Sequence, residues 1–447
     1  MKSAFWKRVA AWAVLLAMFV FPAFAEETQK LDTYYTLAVH YINAGEYDKA
    51  LTYLNACFDY CDEKQSAALA ADLYLKRGCV YTMKGDNEPA LNDLAKATEI
   101  SPKMADAYLV RVQIYSDSGL YSEAVENMEK YIELTGDQEM YATLAQLYEA
   151  KGDYEKALSS YGAYTDAAAV SDAEANYQRG VYKMNLGLFS EAAQEFEACA
   201  DDETYGVSSL YNIGVCRMNA QDYAGALEAL DRCVEAGGEF DGLYYNRAVC
   251  EMSQTEYEKA IADFTVSIEK ESYGEDALYN RAVCRMSSGL FADAAADFTA
   301  YLGREEGAQA PRKENDIALY YRGVCYMSLP DYDAAAADFT ECIDAGVMAE
   351  DSLFNRGLSY LQAGDAEAAL TDLTACIERG AGADDAAFYR SYAYRMLGDY
   401  DAALADLNLC IEHEYSLAQT YYQRAQTYLE MGDEEKYIAD LETSLNY

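Results

Sequence analysis

Apolar residues recur along this chain three or four apart, in blocks of eleven to fifteen positions separated by short polar breaks. Leu243 to Ser253 and Glu258 to Lys270 are one such pair of blocks, with Gln254-Thr255-Glu256-Tyr257 between them. That spacing predicts two amphipathic helices joined by a tight turn. The pair then repeats. Gly45-Glu46-Tyr47-Asp48-Lys49-Ala50 returns as Gly152-Asp153-Tyr154-Glu155-Lys156-Ala157 and as Gly398-Asp399-Tyr400-Asp401-Ala402-Ala403. Taking the last Ala as an anchor gives Ala50, Ala90, Ala124, Ala157, Ala192, Ala226, Ala260, Ala294, Ala335, Ala369 and Ala403, with Tyr437 in the twelfth place. The period is close to 34, and two longer gaps mark insertions around Asp62–Leu69 and Leu302–Asn315. A fixed period of this length is the signature of a repeat architecture in which stacked helix pairs share one continuous core.

Fixed positions around the anchor show how each pair packs. Twelve residues before it stands a small residue in every unit but one: Ala38, Gly78, Ala145, Gly180, Gly214, Ala248, Ala282, Gly323, Gly357, Ser391 and Ala425, with Val112 the exception. Two helices approach closely only where both present small side chains, so this residue and the anchor mark the crossing point. Four after the anchor comes a large apolar residue, among them Leu54, Tyr161, Phe264, Phe298, Phe339 and Leu441, expected to fill the space between neighbouring pairs. An aromatic residue precedes the anchor by three in most units.

With these positions in place the chain resembles the tetratricopeptide repeat family over all twelve units. The starts fall near 31, 71, 105, 138, 173, 207, 241, 275, 316, 350, 384 and 418. The Pro that commonly closes such a unit appears only as Pro102. The resemblance implies an all-α, right-handed superhelical solenoid of antiparallel helix pairs, with a concave groove lined by the first helix of each pair.

Thirteen residues before the anchor, eight units carry Arg, and the same eight carry an acid three after it. The pairs are Arg77 with Asp93, Arg179 with Glu195, Arg247 with Asp263, Arg281 with Asp297, Arg322 with Asp338, Arg356 with Asp372, Arg390 with Asp406 and Arg424 with Asp440. Leu37 with Tyr53, Leu144 with Ser160 and Ile213 with Ala229 lose both charges, and Arg111 with Asn127 is mixed. Charges kept or lost together point to a structural ion pair between the two helices of a unit rather than to a ligand clamp.

The N-terminus has the pattern of a leader. Lys2, Lys7 and Arg8 precede the apolar run Val9 to Phe21, and Ala23-Phe24-Ala25 offers small residues where a signal peptidase reads. Residues 1–25 are expected to be a signal peptide cleaved after Ala25, leaving 26–447 as an exported solenoid, secreted or held in the cell envelope. An uncleaved anchor is the alternative. After cleavage no stable membrane insertion is expected.

Thirty-four basic residues against 77 acidic give a net charge of −43, which makes nucleic acid an improbable partner. Twelve Cys fall at periodic positions. Cys199 and Cys233 could face Cys216 and Cys250, but Cys284, Cys325, Cys342, Cys376 and Cys410 would face other residue types, so small buried hydrophobes are expected rather than a disulfide framework. The chain has no CxxC, and Cys57-x-x-x-Cys61 lacks a second ligand pair, so no metal is expected. With two His, His40 and His413, and no phosphate loop, HExxH or GxSxG, neither catalysis nor a cofactor is expected.

The candidate ligand face lies on the first helices of units five to nine. Fifteen before the anchor stand Tyr177, Tyr211, Tyr245, Tyr279 and Tyr320; four later Val181, Val215, Val249, Val283 and Val324; three later again Met184, Met218, Met252, Met286 and Met327. This spacing keeps the three on one helical face, away from the crossing face. The resemblance implies that these positions line the groove and that Asn212, Asn246 and Asn280 hydrogen-bond a peptide backbone. It does not extend to the family's charged clamp for a terminal carboxylate, whose Lys positions hold Tyr here. The competing reading is that the stripe packs against other units. The function expected is a non-enzymatic protein-interaction module binding an extended peptide or partner helix. The alternatives are an envelope scaffold that engages basic protein surfaces through an acidic outer face and, more remotely, a glycan binder using its 43 Tyr.

Overall fold

A left-handed residue, Gly in nine of the twelve repeats, stands between the two helices of each repeat and sets the local geometry. In the tenth repeat Gly364 has φ +88°, and its N–H reaches the Leu361 carbonyl while the Asp365 N–H reaches that of Tyr360. This left-handed turn ends the first helix and satisfies its last carbonyls. The Asp365 side chain then accepts from the Ala368 N–H and caps the second helix. Asp222, Asp331, Asp399 and Asp433 cap their helices in the same way.

The structure is a computed structural model that describes residues 27–63, 66–167, 170–304, 312–380 and 382–447. The expected leader lies outside the described residues, as does the 305–311 part of the second expected insertion. Every regular element among the described residues is a helix. Helices pack in sequence order as antiparallel pairs, from 27–43 with Tyr47–Phe58 through Leu417–Met431 with Glu434–Ser444. The chain divides into two compact units, Met1–Ser209 and Leu210–Tyr447, the division falling within the first helix of the sixth repeat. In each unit first helices of successive repeats also touch: Ala67–Lys84 meets Ala105–Asp117 in one, and Leu243–Ser253 meets Gly274–Ser287 in the other. First helices therefore form a row, and that row carries the candidate site.

Each core is built at the crossing points. The Ala anchors of the described repeats are fully buried. The large residue four after the anchor meets the next repeat, as the sequence suggested: Phe264 clusters with Ala277 and Cys284, and Phe298 with Ala318 and Cys325. It also presses onto the small residue of its own repeat: a Cβ on Gly180 would lie 2.8 Å from the Phe196 ring, one on Gly214 2.5 Å from Leu230, and one on Gly323 2.9 Å from Phe339. The two positions are sixteen apart and oppose one another across the helix pair, so the knob fills its own crossing as well. Phe298 also faces Tyr321 of the next repeat at 6.0 Å between ring centres.

Candidate functional site

The Tyr-Val-Met stripe is neither core nor fully exposed. All fifteen of its residues, Tyr177, Val181 and Met184 in the first unit and the twelve from Tyr211 to Met327 in the second, are half-buried. The inner edges of Tyr245, Val249 and Met252 pack on one buried cluster, and those of Tyr279, Val283 and Met286 on another. Their outer edges face solvent.

In the second unit a ladder of Tyr and Asn joins neighbouring repeats. Asn246 Nδ2 donates to the Tyr211 hydroxyl at 3.3 Å, Asn280 to Tyr245 at 3.2 Å and Asn355 to Tyr320 at 3.0 Å. Asn246 and Asn280 thus fix the tyrosines of the preceding repeat. The Tyr211 hydroxyl in turn donates to the Asp241 carbonyl at 2.9 Å. Tyr245 stacks on Tyr273, with ring centres 4.8 Å apart, and Tyr211 on Phe240 at 4.7 Å.

Beside this ladder Tyr245, Asp276, Tyr279, Asn280, Tyr301 and Ile317 enclose a cavity of about 340 Å³. Burial pushes the Tyr245 hydroxyl above its ordinary pKa; the Asp276 carboxylate adds to the shift and Asn280 opposes it. Burial and then Asp351 do the same to Tyr320. Asp276, Asp351, Tyr301 and Ile317 were not picked out from sequence. The acids stand eighteen before the anchor in only some repeats, so their periodic signal is faint.

The interhelical charges form a second regular feature. In seven repeats Arg Nε and Nη2 fork onto the carboxylate sixteen residues on, at 2.5 to 2.9 Å. Arg179 reaches Glu195 at 3.0 and 3.1 Å. The carboxylates are almost wholly buried: Asp263, Asp297, Asp338 and Asp372 are 3–6% exposed. In the same seven repeats Nη1 turns back to the preceding repeat. It finds Asn55, Asp231, Thr265, Thr299, Thr340, Thr374 or Asn408. All seven acceptors stand five after the anchor of the repeat directly before the Arg. The recurrence of Thr, Asn and Asp there was a sequence signal that went unread.

Family models for the tetratricopeptide repeat match residues 142–205, 211–275, 279–346 and 354–411, and further models of the same repeat match 31–63, 71–104, 105–138 and 418–447. The chain belongs to the tetratricopeptide repeat family. As a tetratricopeptide repeat protein it is an all-α solenoid of helix pairs and a protein-interaction scaffold, in a family whose members are generally non-enzymatic. It is similar to human tetratricopeptide repeat protein 13, at 24% identity over 179 residues, which make up 39% of this chain and 20% of that relative. The match therefore spans about a fifth of the relative's length. Among solved structures it resembles one titled for Naa15/Naa10 bound to HypK-THB (15% identity, 94% of this chain and 63% of that one, TM-score 0.45). It also resembles the C-terminal part of a repeat protein from Cytophaga hutchinsonii (18% identity, 52% and 93%, TM-score 0.46).

All twelve Cys of this tetratricopeptide chain are free thiols. Ten are buried, and Cys61 and Cys79 are half-buried. Burial pushes Cys250, Cys284 and Cys410 up to about 12. His413 Nδ1 lies 2.6 Å from Asp384 in an exposed turn, and His40 is exposed. Among the described residues no group of three His, Cys, Asp or Glu is placed to hold a metal ion, and no helix is long and apolar enough to cross a membrane.

Proposed function

We propose that the chain is an exported scaffold that holds an extended polypeptide on the first-helix face of the sixth to ninth repeats. The observation that carries this reading is the Tyr–Asn ladder beside the 340 Å³ cavity. The tyrosines are held by neighbours and need no reordering on binding, which lowers the entropic cost of association. Val249, Met252, Val283 and Met286 offer adaptable apolar contact beside them. Asp276 at the rim supplies a negative charge, in keeping with a chain of net charge −43. A partner segment with apolar side chains and a basic residue suits this face.

Export rests on the sequence of residues 1–25 alone. Intact mass of the chain recovered from its source tests it: a mature form beginning at Glu26 supports export, and residues 1–25 kept in the membrane fraction overturn it. For the groove, peptides selected from a displayed random library against the chain should lose binding to Met252→Asp and Met286→Asp variants. Selected peptides that bind both variants unchanged overturn the reading. Binding that falls steeply between low and physiological salt would favour the acidic outer face instead.

A further inference from the structure

The fourth repeat lacks what seven others share. In those seven an Arg guanidinium lies between two partners: the acid of its own second helix and an acceptor five after the preceding anchor. In three of them it also lies beside the Tyr four residues on, with Arg322, Arg356 and Arg390 5.6 to 6.0 Å from the ring centres of Tyr326, Tyr360 and Tyr394. The fourth repeat has Leu144 in place of the Arg and Ser160 in place of the acid. The rest of the setting is kept. Glu129 stands five after the preceding anchor, and Tyr148 stands four after Leu144.

A cavity of about 640 Å³ opens there, lined by Glu129, Glu133, Tyr141, Leu144, Tyr148 and Ser160 among others. Its walls therefore include the counterparts of all four parts of the guanidinium site. Ser160 is only 8% exposed. The Tyr148 hydroxyl donates to Glu129, which holds that carboxylate at the wall. Lys156 also lines the cavity, with its ammonium 5.3 Å from the Tyr148 ring centre, so a cation already sits against that ring.

We propose that this cavity is a binding site for a guanidinium group, supplied by an arginine side chain of a partner polypeptide. The incoming group takes the place that the chain's own Arg fills in other repeats. It donates to Glu129 and to the Ser160 hydroxyl and lies beside Tyr148. A planar fork with donors on separate nitrogens suits two acceptors set on different helices better than the single nitrogen of an ammonium. The site lies in the first unit and does not depend on the proposed groove.

The test is titration of the full chain, with its tyrosine rings isotopically labelled, by acetyl-Gly-Arg-Gly-amide and by its citrulline and lysine counterparts. The arginine peptide should shift the Tyr141 and Tyr148 ring signals, the citrulline peptide should leave them unmoved, and the lysine peptide should bind more weakly. Ser160→Asp restores the missing carboxylate and should tighten arginine binding about tenfold, the order expected for an added charge-assisted hydrogen bond. Leu144→Arg with Ser160→Asp should fill the site from within and abolish the response. The proposal is overturned by an equal response to citrulline or lysine, by no response to arginine in either the wild type or Ser160→Asp, or by a response that survives in the filled double variant.

Discussion

Arg356 forks over Asp372, with Nε 2.8 Å from one carboxylate oxygen and Nη2 2.8 Å from the other. The Asp372 side chain is 5% exposed and that of Arg356 19%. Hydrogen bonding to Asp372 raises the Arg356 pKa against the opposing effect of burial. Arg356→Leu leaves a buried carboxylate alone and should cost about 3–5 kcal/mol. Arg356→Leu with Asp372→Leu should cost much less than the sum of the two single changes. Denaturant melts of the three variants decide this, and simple additivity would show that the pair is not coupled. Arg281 is a poorer test, because Asp297 also holds Arg285 at 2.5 Å and would keep a partner.

Gly214 gives a steric prediction. A Cβ there would come within 2.5 Å of Leu230 Cγ and Cδ2. Gly214→Ala should therefore destabilise the chain by about 1–3 kcal/mol, despite the better helix propensity of Ala. Adding Leu230→Val should recover part of the loss. A chain stabilised by Gly214→Ala would mean that the crossing has slack.

Thr255 occupies the left-handed turn position that is Gly in most repeats, at φ +62°. A β-branched residue is strained there. Thr255→Gly should stabilise the chain by about 0.5–1 kcal/mol, net of the unfolded-state entropy that Gly adds. Thermal melting reads this as a raised midpoint.

Glu251 predicts a pH dependence. It is 4% exposed, and its Oε2 has no hydrogen-bond partner. Burial and then Asp263 push it up to about 7, with Asp231 adding to the shift and Arg247 and Lys259 opposing it. Cys250 and Cys284 are the other titratable groups within its influence. A carboxyl whose pKa is higher folded than unfolded binds more protons in the native state. Stability should therefore fall as pH rises from about 4.5 to about 7 and level off above that, by about 3 kcal/mol. Glu251→Gln should remove this fall. A variant with an unchanged pH profile would show that Glu251 titrates alike in the folded and unfolded chain.

The helix pairs were legible because a 34-residue period shows each position twelve times, so Ala at the anchor and Gly or Ala twelve before it stand out from noise. The Arg and acid of each pair were legible for the same reason. The seat of Phe196 on Gly180 was not, since spacing shows that two residues recur but not which neighbour each one touches. The acceptor that each Arg reaches in the preceding repeat was hidden because Asn55, Asp231 and Thr265 are different residue types with one shared capacity, an oxygen that accepts a hydrogen bond. Glu251 was hidden because it departs from a row of Tyr and cations, and a repeat pattern averages away a single exception.

The buried thiols give the chain a built-in record of its own opening. Cys57 in the first repeat and Cys199, Cys216, Cys233, Cys250, Cys284, Cys325, Cys342, Cys376 and Cys410 in the fifth to eleventh are closed to solvent. Each is enclosed, so a thiol reagent reaches it only when its own repeat loosens. Because neighbouring repeats are coupled only through their shared faces, labelling rates compared site by site would rank these repeats by local stability. A chain that opens all at once would give one rate for every thiol, and one that frays repeat by repeat would give a gradient.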